Sequence, residues 1–259
     1  YTNMNLVIQR NEISGVTANL AARGIVVEQA RNDYQALSSA RKSGPARGQA
    51  GVVVFPNKPE HSYICSNAIW GLKRGTTSGS AVGIHSFTTR NAATDFITPK
   101  IATYFTVADS IVNNTISIDD DAVVGAGNVI GIGVQNADKP VIMNNAIAVN
   151  TKANAATGYQ AALVYQGTSF RNGRVNTWFL PTTAPKALVS NKNAFWAPNS
   201  DIARVIEISH TSELVSGGSR GEFATINQWR NWTGQDINSP VSNFLADMEY
   251  QGTVPNQNL

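Results

Sequence analysis

The chain has 259 residues, a formal net charge of +3 and a pI near 9.0. Charged residues make up only 14% and hydrophobic residues 42%, so the surface is neutral and rich in hydrogen-bonding groups, as in many secreted, β-rich surface and capsid proteins. The basic residues are too few, and too little interleaved with aromatics, for a nucleic-acid groove, and no apolar run approaches the roughly 20 residues of a membrane helix.

The first quarter of the chain predicts two helices between short strands. Residues 4–9 are typical of a strand that ends at Arg10. Residues 16–40 have a helical pattern in two pieces, interrupted at Gly24, because apolar residues such as Val27, Tyr34 and Leu37 recur at steps of three and four. Residues 42–51 predict a loop, and residues 51–55 predict a buried strand.

The remainder of the chain predicts mainly strands. Residues 62–72 and 80–87 have strand patterns, whereas residues 91–98 have a helical pattern that stops at Pro99. From residue 105 to 149, β-branched runs alternate with turn residues, which predicts strands joined as hairpins, and residues 203–209 predict another strand. No internal repeat is evident. We expect an α+β fold with early helices and a strand-rich middle, in a single domain covering residues 1–259.

Few residues stand out as candidates for chemistry. His85 and His210 each lie on a predicted strand beside hydroxyl residues, which resembles half of the pattern of a two-histidine phosphoesterase. Because the pattern is incomplete, a structural role is favoured for both histidines. Cys65 is the one cysteine of the chain, which excludes an intrachain disulfide and a cysteine-based metal site; a buried structural thiol is favoured over a thiol–imidazole pair. Residues 119–121 are three aspartates that could bind Ca²⁺, although a solvated turn is favoured, so no metal site is predicted.

Several segments, read in order, resemble the A chains of the pertussis toxin and heat-labile enterotoxin type of ADP-ribosyltransferase. Residues 146–165 are similar to a strand, an Asn-containing loop and an alanine-rich segment of that family. Residues 6–25 are similar to its first strand and helix. The clearest similarity is a loop and strand of pattern I-x-R-V-x-x-V-x-H, whose places are held here by Ile202, Arg204, Val205, Ile208 and His210.

The resemblance implies a fold of two strongly bent β-sheets with N-terminal helices, and NAD as the cofactor. Arg10 would then hold NAD. Ser86 and Thr88 would represent the family's Ser-Thr-Ser strand, in which Phe87 takes the middle place. A preorganised carboxylate beside the developing oxocarbenium ion is the main catalytic demand of this chemistry.

The carboxylate is the weak point of the transferase hypothesis. Ser190 stands where the family has its glutamate, and no glutamate occurs between Glu60 and Glu207. Glu207 is therefore the one nearby candidate for the catalytic carboxylate, although its place in an alternating strand favours a solvent-facing residue. The resemblance thus implies a secreted, toxin-like protein with weak or lost NAD chemistry, whose partners would be a host protein target or a binding subunit.

Two other functional classes remain open. The low charge and the strand-rich middle also suit a non-enzymatic structural, surface or capsid-type protein that assembles with itself. A carbohydrate- or receptor-binding module is the third alternative, because tryptophans could serve as exposed platforms: Trp178, Trp196, Trp229 and Trp232.

Overall fold

A computed structural model describes residues 6–30, 62–76, 78–89, 109–120, 127–135, 140–151, 158–168, 188–208 and 219–244. Nearly all strands in these ranges pair in parallel with a strand from a distant part of the chain. Three long sheets result, together with a small two-stranded one.

The first two sheets consist of short strands. The first sheet contains, in spatial order, β1 (Val7–Gln9), β5 (Tyr63–Cys65), β9 (Ser110–Val112), β12 (Val141–Met143) and β15 (Val189–Asn191). The second sheet contains β2 (Glu12–Ser14), β6 (Ala68–Trp70), β10 (Thr115–Asp120), β13 (Ala146–Thr151) and β16 (Ala194–Trp196).

The third sheet carries longer strands and an antiparallel edge. Its members are β4 (Ala21–Ala30), β8 (Ser80–Thr89), β11 (Val129–Gln135), β14 (Gln160–Thr168), β17 (Asp201–Ile208) and β18 (Ser219–Phe223), of which only β18 is antiparallel to its neighbour. β3 (Thr17–Ala18) pairs with β7 (Lys73–Arg74) at the corner between the second and third sheets.

The order of the strands along the chain defines a parallel β-helix. The chain visits the first, second and third sheets in turn, and then returns to the first sheet one strand further along, so that five successive rungs stack in register. Each rung contributes one strand to each sheet and contacts mainly its neighbours, as in other solenoids.

The predicted α+β fold with two bent sheets and N-terminal helices is wrong. The first part of the predicted helical region, residues 17–18 and 21–30, forms strands β3 and β4, because the run Ile25-Val26-Val27 is β-branched and lies in register beside β8. The predicted hairpins within 105–149 are also wrong, since β10 pairs in parallel with β13. Residues 31–40, 51–55 and 91–105 lie outside the described part.

Other strand predictions are confirmed. Residues 80–87 lie in β8 and residues 203–208 lie in β17. The predicted strand within 62–72 is two strands, β5 and β6, separated by a tight corner at Ser66.

A sequence repeat forms the corner between the first and second sheets. The prediction that the chain has no internal repeat is therefore wrong. The aligned octapeptides are VIQRNEIS (7–14), YICSNAIW (63–70), SIVNNTIS (110–117), VIMNNAIA (141–148) and VSNKNAFW (189–196). Their fourth residue has a positive φ of 56–57° in every rung, which turns the chain sharply: Arg10, Ser66, Asn113, Asn144 and Lys192. Their fifth residue is always asparagine.

These asparagines form a hydrogen-bonded ladder along the solenoid. The side-chain oxygen of Asn145 accepts from the backbone N and the Nδ2 of Asn114 at 2.9 and 3.0 Å. In turn, the backbone N and Nδ2 of Asn145 donate to Oδ1 of Asn193, both at 3.0 Å. The Nδ2 group of Asn145 also donates to the carbonyl of Ile111 at 2.9 Å. The buried corner therefore has its polar groups paired from rung to rung.

Apolar residues stack inside the solenoid in matching rows. The second sheet contributes Ile69, Ile116 and Ile147, each at most 1% exposed, and the first sheet contributes a parallel row, Ile64, Ile111 and Ile142. Identical side chains lie at the same height in these successive rungs, and their burial is the main apolar contribution to stability in this architecture.

Glycine is required where the third sheet approaches the second. A Cβ atom added to Gly131 would lie 2.4 Å from Cγ2 of Ile147 and 2.6 Å from the carbonyl oxygen of Ala162. Gly83, on the neighbouring strand, is just as close to Ile116 and to the carbonyl of Gly131. The narrow cross-section of the solenoid therefore depends on the absence of a side chain at these positions.

A cap closes the C-terminal end of the solenoid. Helix α1 (Ile226–Thr233) begins with a capping box at Thr225 and Gln228 and ends at Gly234, which has a φ of 68°. Its Trp229 is fully buried and stacks on Tyr165 with a centroid distance of 5.7 Å. The last rung is therefore covered by an aromatic layer instead of another rung.

Asp236 joins this cap to the asparagine ladder. Its buried carboxylate accepts from the hydroxyls of Ser190 and Ser239, both at 2.6 Å, from Nδ2 of Asn193 at 2.9 Å and from Nε1 of Trp229 at 2.8 Å. Four donors on one carboxylate compensate for the loss of its hydration. The ladder therefore ends on an acceptor that holds helix α1 in place.

The connections between rungs differ greatly in length. From the third sheet to the next first-sheet strand, the chain uses residues 31–62 after β4 but only residues 136–140 after β11. Each of these connections follows, in the chain, the carboxyl end of a parallel third-sheet strand.

Replacing an inner ladder residue should destabilise the protein strongly. Asn145→Ala leaves the donors of Asn114 and the carbonyl of Ile111 without their partners, and we expect the free energy of unfolding to fall by about 3 kcal/mol or more. Urea denaturation measures this change. Asn144→Gly is the matched control, because Asn144 is exposed with a φ of 56°; it should leave stability within about 1 kcal/mol of the parent. Equal effects of the two variants would contradict the ladder's role.

Adding a methyl group at Gly131 should also destabilise the solenoid. Gly131→Ala forces its Cβ against the backbone oxygen of Ala162, which cannot move without disturbing β14, and we expect a loss of about 1–3 kcal/mol. Gly133→Ala is the control in the same strand, since its nearest neighbour would be 3.5 Å away. Thermal unfolding of both variants should show a lower Tm for the first alone; an unchanged Tm for Gly131→Ala would refute the close approach.

The free energy of unfolding should decrease at high pH because of Tyr165, which lies against the cap. Burial, aided by the nearby Asp236 carboxylate, raises the pKa of Tyr165 well above its ordinary value of 10.0. The unfolded chain therefore loses this proton first, and the contribution of the neutral phenol, complete below about pH 10, declines as the pH rises further. In denaturation experiments between about pH 9 and 11, Tyr165→Phe should lose stability less steeply than the parent, by up to about 1.4 kcal/mol per pH unit. Equal slopes would contradict this.

Candidate functional site

The residues predicted to hold NAD lie on different parts of the solenoid. Arg10 is exposed at the corner between β1 and β2, in the first rung. Ser86 is buried in the third sheet, where its hydroxyl donates to the carboxylate of Asp109. Thr88 follows on the same strand, and its side chain is outside the described part. The structure therefore does not bring Arg10 and Ser86 to one cleft.

The proposed carboxylate is also distant. Glu207 lies in β17, in register with Gly167 of β14, and its side chain is outside the described part. Because β14 and β11 separate β17 from β8, Glu207 and Ser86 are about 14 Å apart across the sheet. Ser190, at the place expected for the family's glutamate, is 1% exposed and binds Asp236 of the cap. Its role is structural.

The histidine and hydroxyl of the third sheet do not form a catalytic pair. His85 and Ser86 are consecutive strand residues, so their side chains lie on opposite faces of β8. Ser86 is inside and His85 is outside, close to the position of Gly133 in β11. The bond from Ser86 to Asp109 instead ties the third sheet to the start of β9 in the next rung.

No metal centre is found in the described ranges. No group of three or more His, Cys, Asp and Glu side chains there is arranged to hold an ion. Asp119, the first of the three consecutive aspartates, accepts a hydrogen bond from Nδ2 of Asn150 at 3.4 Å. Asp121 lies outside the described part.

The tryptophans are not a common platform. Trp229 is the buried tryptophan of the cap helix α1. Trp232 of the same helix packs on the same aromatic layer, with its ring centroid 5.0 Å from that of Phe223. Trp196 lies on the outer face of the second sheet, in the same register row as Trp70, and both are partly exposed. Trp178 lies outside the described part.

The outer face of the first sheet is the most distinctive exposed surface. Because Ile64, Ile111 and Ile142 point inward, the residues on either side of them point outward. The outward positions form two rows across the five strands. The first row contains Val7, Tyr63, Ser110, Val141 and Val189. The second row contains Gln9, Cys65, Val112, Met143 and Asn191. We call these ten residues the apolar strip.

The apolar strip is both exposed and uncharged. Val7, Tyr63 and Val189 are 53%, 45% and 45% exposed, and none of the ten residues is buried or charged. The strip extends about 19 Å from β1 to β15, which is four strand spacings. The charged residues Arg10 and Lys192 lie at the corner positions that follow β1 and β15.

Sequence reasoning missed the apolar strip because it took each strand separately. The strands β1, β5, β9, β12 and β15 have three residues each, too few to show alternation. Their signal is the first position of the repeated octapeptide, which is Val or Tyr in four of the five copies and is recognised only when the octapeptides are aligned.

Comparison with known proteins gives no relative. The chain matches no family model, and neither the curated proteins nor the solved structures contain a significant match. The ADP-ribosyltransferase resemblance therefore has no support from these comparisons, and the fold that it implied is wrong. In the described residues, no helix combines the length and the apolar character needed to cross a membrane.

Proposed function

We propose that this protein is a non-enzymatic structural subunit of an extracellular surface or particle, and that it associates with further copies of itself. The observation that carries this proposal is the apolar strip, a flat, uncharged surface on a rigid solenoid. Exposed apolar areas bordered by polar residues are typical of protein–protein contacts in soluble proteins.

The rest of the fold supports a structural role. The buried polar groups of the corner and the cap, such as Asn114, Asn145 and Asp236, are all used to hold the rungs and the C-terminal helix in place. Ser86, Asp109 and Ser190, which could have served catalysis, are used in the same way. A regular stack with fixed spacing is suited to presenting one surface in a constant geometry.

The apolar strip would form the centre of a larger contact. Its width is about 7 Å, one two-residue step along a strand, so that the strip alone buries less than the area of a stable interface. The neighbouring corner, with Arg10 and Lys192 exposed, would form the polar rim. Because the strip is uncharged, a second strip of the same composition is a suitable partner for it.

Self-association should depend on the apolar strip. We expect the parent protein to form oligomers in a concentration-dependent manner, measured by analytical ultracentrifugation, and the double variant Tyr63→Lys, Val189→Lys to associate at least tenfold more weakly, because burying two lysines is unfavourable. Ile237→Lys is the control, since Ile237 is 66% exposed on the C-terminal cap. A parent protein that remains a monomer at every concentration would overturn the proposal.

A further inference from the structure

The asparagine ladder has a direction. The backbone N and Nδ2 of Asn11 donate to Oδ1 of Asn67 at 3.1 and 2.9 Å. Asn67 donates in the same way to Asn114, at 3.0 and 2.9 Å. The three inner asparagines, Asn67, Asn114 and Asn145, thus each give two hydrogen bonds to the following rung and receive two from the preceding rung.

At the first rung this pattern is incomplete. Within the described ranges, no donor reaches Oδ1 of Asn11, whereas Asn67, Asn114, Asn145 and Asn193 each accept two hydrogen bonds. The first-rung strands β1, β2 and β4 each have a described partner on one side only. Among the described residues, no strand pairs with the other edges of β1 and β2, whose backbone groups can accept a further strand.

At the same end, part of the solenoid interior is exposed. The inward-pointing Ile8 and Ile13 of the first rung are only half-buried, although Ile64 and Ile69 directly below them are 0% and 1% exposed. The hydrophobic interior therefore reaches the surface at the first and second sheets of this end. In the third sheet, by contrast, Ala22, Ile25 and Val27 of β4 are at most 5% exposed.

The opposite end does not have these properties. There, Asn193 donates to Asp236 and the antiparallel strand β18 lies beside β17. Trp229 covers the last rung. Since the cap occupies this end, a second copy cannot continue the stack from it in head-to-tail fashion.

We infer that the first rung binds a further β-helical rung from another solenoid segment, running parallel to β1 and β2, with an asparagine that donates to Oδ1 of Asn11. Such a rung would repeat the contacts that join each described rung to the next, by addition of strands to a free edge. A copy related by a two-fold axis does not fit, because it would place one Asn11 acceptor against another. This inference is independent of the proposed function, which concerns the apolar strip.

The test adds a rung to the full chain. A copy of residues 109–139, which spans one whole rung and the short connection after it, is placed directly before Leu6. We expect Tm to rise by about 5 °C or more relative to a chain with the same segment in scrambled order. A matched variant with alanine at the added copy of Asn114 should lose at least half of this gain. Circular dichroism confirms that each chain is folded.

Hydrogen exchange of the unmodified chain provides a second readout that does not depend on the fusion. Backbone amides of Val7 and Gln9 should exchange at least tenfold faster than those of β9, and the added rung should slow them by at least tenfold. The inference is overturned if the added rung stabilises no more than its scrambled control. It is also overturned if these amides are already protected in the monomer, or become protected in a dimer that forms through this end.

Discussion

The stacked asparagines are the constraint on which the rest of the structure depends. An asparagine placed after a residue of positive φ fixes both the direction of the corner and the height of the rung, because its side-chain amide forms hydrogen bonds with the asparagines of the two adjacent rungs. Once Asn67, Asn114 and Asn145 are aligned, the isoleucines on each side of them are aligned as well. The register of the first two sheets is therefore tied to one column of amides.

This constraint explains which parts of the fold could be predicted from the sequence. Strands such as β8, β11 and β17 have β-branched residues in sufficient number for a local pattern to identify them. Whether they pair as hairpins or in parallel is decided by residues far away in the chain, so the local pattern gave the wrong topology for residues 105–149. The helical spacing in residues 21–30 was misleading for a related reason. Val27 and its neighbours are buried by the adjacent rung, which a single segment does not show.

The repeat was present in the sequence and could have been found. It was overlooked because the octapeptides begin at irregular intervals, at residues 7, 63, 110, 141 and 189, which removes the fixed period by which solenoids are usually detected. Aligning them on the shared asparagine, which four of the five place in the motif Ile-x-x-Asn-x-Ile, would have indicated the stacked corner, and with it the apolar strip. The site residues Arg10, Ser86, Thr88 and Glu207 depended on a family resemblance, and the positions of the described ones follow from the solenoid instead.

The unequal connections at the carboxyl ends of the third sheet have a consequence for how such a protein changes over time. Residues 31–62 and residues 136–140 join equivalent points of successive rungs, yet the pairing of β4 with β8 and that of β11 with β14 are equally regular. The entropy of closing a loop increases only slowly with its length, so this edge accepts inserted sequence at small cost to the rungs. New peptide segments can therefore be acquired, exchanged or engineered there while the scaffold keeps its spacing, which makes the solenoid a versatile carrier for sequences unrelated to its own folding.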